Sequence, residues 1–243
     1  MKVGLIAEQF INGDVEFNLH QIEKWLNASS HQGFDLLCFG EAFLQGFDGL
    51  TWEYMADLQI ALEQTDPRIL SLSKLAKVHQ TGLGFGYIEK EGQTLYSSYL
   101  VVSAQGEKVT NFRRISPGWK ESITDERYYR EGHDFKTFEL CNKKIAIAIC
   151  GDLWHDDLLA NLKKQQAELV LWPLYLDYTT EQWVSGEREA YARRAGELNV
   201  PVLMINSYVD ALNLAKGGAC VFSNGMVAQE LPMEETGLLE VVL

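Results

Sequence analysis

Short apolar, β-rich runs recur through the 243 residues, and several of the gaps between them carry helical periodicity. That alternation constrains the fold more than any single motif, because strand–helix–strand units bury a sheet beneath its helices. Residues 2–9 form the first run. Val15, Leu19, Ile22 and Leu26 then follow at spacings of four, three and four, one face of a helix. "FDLLCF" (34–39) reads as a short strand ending at Gly40-Glu41. Asp66 and Pro67 are a cap and first turn for a helix reaching about Lys77, with Leu72, Leu75, Ala76 and His79 in period. Three β-like segments near 82–89, 95–102 and 107–113 follow closely, separated by turn residues, which argues for antiparallel pairing. Residues 115–133 are a polar-aromatic loop, and loops of that length in a compact domain are usually functional.

The second half repeats the alternation. Strands at 136–140 and 143–150 lead to a helix starting near His155, with Asp156 and Asp157 in its first turn and Lys163 and Lys164 in its last. "ELVLWP" is a strand stopped by Pro173. Residues 179–199 read as helical, with Val184, Tyr191, Ala195 and Leu198 on one face. "PVLMIN", "GACVFS", "MVAQEL" and "LLEVVL" close the chain as strands. The expectation is one α/β domain over 1–243, two sheets between helices, with a hydrophobic content of 47% sufficient for a sizeable core.

Thirty-four acidic residues against 21 basic ones give a formal charge of −13, which disfavours nucleic acid and anionic membrane as partners. "MKVGLIAEQF" meets a charge at Glu8 and does not read as a signal peptide, and no apolar run approaches the ~20 residues of a spanning helix. Cys38, Cys141, Cys150 and Cys220 are widely separated, with no Cys-x-x-Cys pair, and are expected as free thiols in a reducing, cytoplasmic setting. The Asn27 sequon has little weight without a secretory signal. "GLGFG" (82–86) lacks the spacing of a phosphate loop. His20, His31, His79, His133 and His155 form no metal-ligand spacing, so no metal site and no cofactor is expected.

Three strand ends carry chemistry. "LLCFG" ends in Glu41, "KVTNF" in Arg113-Arg114, and "IAIAI" in Cys150. Open α/β folds collect active sites at such ends, where rigid strands fix the loop residues. A thiol with a pKa of ~8.5 is only a few per cent ionised near neutrality, so a base or cation must stand beside it. Glu41 can take the proton of Cys150. A cation can hold the negative oxygen that forms when sulfur attacks a carbonyl or nitrile carbon, and the Gly151 N–H can share that task. Singly, Glu41 reads as a solvated carboxylate, Arg114 as a surface charge and Cys150 as a packed small residue; the three together at strand ends favour a site.

With those residues in place, the chain resembles the nitrilase superfamily of carbon–nitrogen hydrolases over nearly its whole length. "MKVGLIAEQF" is similar to the family's opening strand, and "DLLCFGEAFLQGF" to the segment with its catalytic glutamate, which points to Glu41. "ICGDLW" resembles the cysteine motif, pointing to Cys150 with Asp152 alongside; "DERYYREGHDF" resembles the stretch with a second glutamate, pointing to Glu126. "RRAGELNVPVLMIN" and "GGACVFSNGMVAQEL" resemble the final helix, strand and hairpin. The resemblance implies a four-layer α-β-β-α sandwich, a homodimer or larger homo-oligomer, and an amidase that cleaves a small linear amide through a cysteine thioester, releasing ammonia or an amine. Glu126 would orient the amine or the substrate. A nitrile hydrolase and a catalytically silent binding or scaffold protein on the same fold are the alternatives. "CGDLW" also looks like the cysteine motif in the glutamine-hydrolysing arms of NAD synthetases, whose synthetase part this chain is too short to carry as well.

One departure concerns the cation. The family places a lysine in a Tyr-Arg-Lys-like segment, where "NFRRIS" has Arg114. Position favours Arg114; the alternative, to which the reading leans, is that Lys120 in "PGWKE" folds back as the catalytic amine with Arg114 close by. Trp172, Tyr175, Tyr178 and Trp183 lie in or after "LVLWP", where the family's loop borders the substrate, so Trp172 and Tyr175 are candidate pocket residues; ordinary packing is the competing explanation.

Overall fold

The chain, described here over residues 1–211 and 215–243 of a computed structural model, forms two six-stranded mixed sheets packed face to face. In order they are built from β1 (Lys2–Ala7), α1 (Val15–Ala28), β2 (Leu36–Cys38), α2 (Tyr54–Ile60), α3 (Pro67–His79), β3 (Gly82–Glu91), β4 (Thr94–Val102) and β5 (Lys108–Arg113). Then come β6 (Thr137–Leu140), β7 (Lys143–Ile147), α4 (Asp156–Lys164), β8 (Leu169–Leu174), α5 (Thr180–Gln182), α6 (Arg188–Gly196), β9 (Val202–Asn206), β10 (Ala219–Ser223), β11 (Met226–Leu231) and β12 (Gly237–Val242). One sheet runs β12-β1-β2-β3-β4-β5 and the other β11-β10-β9-β8-β7-β6. Each has a parallel trio, β1-β2-β3 or β7-β8-β9, with one antiparallel strand outside the first member and two outside the last. The expected α/β sandwich is observed.

Strand alternation sorts the side chains into layers. Val3, Leu5, Leu36, Cys38, Tyr99 and Val101 of the first sheet join Ile145, Ile147, Leu171 and Leu203 of the second in one core. The opposite face of the first sheet, with Leu37, Leu83, Phe85 and Leu100, packs on Ile22 and Leu26 of α1 and Ile69, Leu72 and Ala76 of α3. Asp14 caps α1 by accepting from the Phe17 N–H (3.0 Å), and Asp66 caps α3 by accepting from the Arg68 N–H (2.9 Å). Each cap satisfies a donor that the first helical turn leaves without a partner.

Two local expectations change. The helix expected over 179–199 is interrupted by a wide turn, Trp183–Glu187, between α5 and α6. The extra residue in that turn rotates the buried face, so Trp183 is buried while Val184 is 55% exposed; Tyr191, Ala195 and Leu198 stay buried as expected. The sequence reading also lacked α2, a seven-residue helix whose Asp57 is buried and accepts from the Thr51 and Trp52 N–H groups and the Tyr129 hydroxyl. No described helix is long and apolar enough to cross a membrane.

Candidate active site

The C-terminal ends of β2 and β8 meet across the sandwich. Beyond β2 the chain continues extended, with the Phe39 N–H bonded to the Gly84 carbonyl (2.8 Å), and then crosses to the second sheet, where the Glu41 N–H donates to the Leu174 carbonyl (3.3 Å). The next residue, Ala42, sits in left-handed backbone (φ 47°), a conformation that costs a non-glycine residue free energy. Gly86 permits this path, since a Cβ there would stand 2.4 Å from the Ala42 nitrogen. The "GLGFG" glycines are therefore about close approach rather than phosphate. Glu41 is thus aimed by backbone on both sides and is almost wholly buried, 1% exposed.

Cys150 is placed by a second strained residue, its own. β7 ends at Ile147, and Cys150 (φ 42°) opens a tight turn over Cys150–Trp154. Buried Asp152 holds that turn: one carboxylate oxygen accepts from the Ile149 N–H (2.9 Å), the other from the Ile115 and Ser116 N–H groups (3.0 and 2.7 Å). It ties the cysteine turn to the segment that follows β5. Its own pKa is raised, chiefly by burial, with the Ser116 N–H and Arg114 opposing. Trp172 donates from Nε1 to the Cys150 carbonyl (2.8 Å) and carries Tyr191 on its ring (5.1 Å between centroids), backing the turn with aromatic packing.

Arg114 closes the constellation. Only 5% exposed, it donates from Nη1 to Glu41 Oε1 (3.0 Å) and from Nε to Ser116 Oγ (2.9 Å). Ser97 Oγ donates to the same Glu41 oxygen (3.1 Å). Glu41 Oε2 is buried and has no hydrogen-bond partner among the described residues, so it is open to a proton. The Cys150 thiol is pushed up to about 12, first by burial and then by the Glu41 charge; Arg114 and a hydrogen bond from the Tyr175 N–H pull the other way. At rest Cys150 is therefore a thiol. Burial works against the Arg114 charge, but Cys150, Glu41 and Asp152 outweigh it and raise its pKa.

Lys120 does not join this group. Its ammonium donates to the Tyr129 carbonyl (2.7 Å) and pairs with Glu131 (2.9 Å), closing loop 115–133 on itself. That corrects the leaning toward Lys120 as the amine beside the thiol: the cation against Glu41 is Arg114. Glu126 is exposed on the same loop, where its carbonyl accepts from Arg130 Nε (3.3 Å), and is not gathered with Glu41 and Cys150. Trp172 and Trp183 are fully packed side chains, so packing accounts for both. Tyr175 contributes its backbone N–H to the sulfur; its phenol donates to Asp48, and its ring stacks on Phe47 (5.1 Å) and Phe10 (5.9 Å). Sequence reasoning missed Ser97 and Asp48, whose partners lie far along the chain, and Ser116, a common residue type two positions from Arg114. A 420 Å³ cavity elsewhere, between β5 and the segment leading into β6, is lined by Tyr96, Arg113, His133 and Lys136 and has none of Glu41, Arg114 or Cys150 in its wall. The described residues contain no His/Cys/Asp/Glu group arranged for a metal.

The arrangement can be set beside known proteins. The sequence pattern of the family described as carbon-nitrogen hydrolase matches residues 3–242. A glutamine-dependent NAD(+) synthetase of Thermotoga maritima is 29% identical over 59% of this chain and 24% of its own length. An N-carbamoylputrescine amidase of Solanum tuberosum is 24% identical over 84% of this chain and 70% of its own, and nitrilase 3 of Arabidopsis thaliana 26% identical over 62% and 47%. The match thus spans about a quarter of the synthetase and about half of the nitrilase. Among solved structures, an amidase of Nesterenkonia AN1 superposes with a TM-score of 0.83 at 21% identity, covering 100% of this chain and 90% of that one. The glutamine-dependent NAD+ synthetase of Acinetobacter baumannii gives 0.81 at 21%, over 98% and 44%.

Proposed function

Because the chain belongs to the carbon–nitrogen hydrolases, whose pattern runs from residue 3 to 242, we propose that it is an amidase cleaving a small linear amide through a thioester on Cys150. One observation carries the reading: a buried carboxylate with a free oxygen, a buried guanidinium and a thiol, brought from three strand ends to one place. Glu41 Oε2 takes the thiol proton as sulfur bonds to the amide carbon. The carbonyl π electrons go to oxygen, where Arg114 and the Gly151 N–H receive the charge. The tetrahedral carbon then expels the amine, which leaves with the proton held by Glu41, and a thioester remains. Glu41 next takes a proton from water; hydroxide adds to the thioester carbon, sulfur leaves and takes that proton back from Glu41, and the acid is released, restoring thiol and carboxylate. The substrate is a small molecule, and no cofactor enters. Glu126 keeps no place in this scheme, since it lies exposed on its loop.

The test is intact-mass detection of an acyl adduct on Cys150, with ammonia or amine measured in parallel, across simple amides, N-carbamoyl amines and nitriles. An adduct from amides that disappears in Cys150→Ala is the expected result. Arg114→Gln should cost ~100–1000-fold in turnover, the usual effect of losing an oxyanion donor, while Lys120→Ala should cost far less. Acid formed from nitriles alone would make the protein a nitrile hydrolase. The absence of any adduct or product across the panel would leave the silent binding protein.

A further inference from the structure

An arginine in this position needs more from its surroundings than a lysine would. A guanidinium is planar, with five donors in a fixed fork, whereas an ammonium is a compact point charge that can turn. All three guanidinium nitrogens of Arg114 are accounted for. Nη1 faces Glu41 Oε1 (3.0 Å) and Nε faces Ser116 Oγ (2.9 Å). Nη2 lies under residue 151, where a Cβ would stand 2.7 Å from it and 2.9 Å from Ser116 Oγ. Gly151 does not have left-handed φ, so its backbone alone would accept alanine; the conflict is with the arginine and its serine. Ser116 is wholly buried; its backbone N–H is held by Asp152, and its hydroxyl oxygen accepts from Nε while the hydroxyl also bonds Asp152.

We infer that Ser116 and Gly151 are positioning residues that let an arginine do the work of the family's lysine, Ser116 fixing the plane of the guanidinium through Nε and Gly151 leaving room for Nη2. This rests on the proposed amidase chemistry, in which Arg114 receives the developing charge. The Ser116 hydroxyl and the absence of a Cβ at residue 151 act through Arg114, while the Gly151 N–H keeps its own place as an oxyanion donor. An ammonium has neither an Nε–H to satisfy nor an Nη2 to accommodate, so it would need neither of them.

The experiment is a pair of double-mutant cycles on the full chain, read by turnover of an accepted amide and, independently of any substrate, by ultraviolet titration of the Cys150 thiolate. Ser116→Ala is expected to lower kcat about tenfold or more with KM little changed, the consequence of a buried donor left without a partner. Gly151→Ala should approach the ~100-fold loss of a displaced oxyanion donor. In both, the thiol should titrate at higher pH than in the parent, because the guanidinium that lowers it has moved. Ser116→Thr, which keeps the hydroxyl, should retain more activity than Ser116→Ala. In an Arg114→Lys background, Ser116→Ala and Gly151→Ala should each cost no more than about twofold, the range expected of uncoupled sites. Equal losses in the two backgrounds would overturn the inference, and so would an unchanged thiol titration in Ser116→Ala. If no amide is turned over, the amidase reading fails while the thiolate titrations still decide this one. Thermal melts identify a variant that has merely unfolded, and Ser116→Ala, which removes one oxygen and no backbone bond, keeps the test open should Gly151→Ala do so.

Discussion

Two adjacent arginines show what a single residue's position decides. Arg113 and Arg114 end the same strand, and alternation sends them to opposite faces. Arg113 pairs with Glu89 on one side, while Arg114 pairs with Glu41 beside the thiol. Nothing in the dipeptide distinguishes them; the antiparallel register, which sets Arg113 against Ser98, does. At the same scale, Glu41 has two effects of opposite sign on Cys150. As the proposed base it would enable attack, yet as a neighbouring charge it raises the thiol pKa. Glu41→Gln is therefore expected to shift thiolate formation to lower pH than the parent's value of about 12, while amide turnover falls by ~100-fold or more. Ultraviolet titration beside an activity assay checks both. A thiol that titrates higher in Glu41→Gln would mean that the carboxylate is not the dominant neighbouring charge.

At the scale of elements, β3, β4 and β5 are joined on their outer face by a buried carboxylate. Glu89, 1% exposed, accepts from Arg113 Nη2 and Nε (2.7 and 2.8 Å), Ser98 Oγ (2.6 Å), Asn111 Nδ2 (2.9 Å) and Gln64 Nε2 (2.6 Å). Burial alone would raise its pKa; the Arg113, Ser98 and Gln64 hydrogen bonds outweigh it and hold it below the usual glutamate value. A depressed folded-state pKa contributes stability above the unfolded value of ~4.3, and that contribution disappears as pH falls through the folded value. Glu89→Ala leaves Arg113 with only the exposed Glu91 as a carboxylate partner and should cost about 1–3 kcal/mol near neutral pH. The loss should shrink as pH is lowered below about 4. Denaturant titrations at both pH values measure this, and a loss that is independent of pH would exclude the ionic contribution. Because β5 carries Arg114 at its end, this network also steadies the strand that delivers the cation.

At the scale of the whole molecule, the homodimer or larger oligomer remains a proposal from the family resemblance. Light scattering at micromolar concentration should give at least twice the chain mass of 27.5 kDa, and a species of that mass alone would reject it. The paired sheets were legible before the structure because they depend on local pattern. The strand alternation, the Asp66 helix start, and apolar runs ending in Glu41, Arg114 and Cys150 are all written within a few residues of one another. Local pattern by itself thus determined the layered α/β fold and the three strand ends that carry reactive groups. Tertiary structure alone decided which cation stands beside the carboxylate, that Lys120 is held by its own loop, that Ser97 bonds Glu41, and that Ser116 and Gly151 fit around Arg114. The contacts of Glu41 with Arg114 and Ser97, and of Gly151 with Arg114, join segments tens of residues apart, fixed by sheet register and close packing, and no local periodicity encodes them.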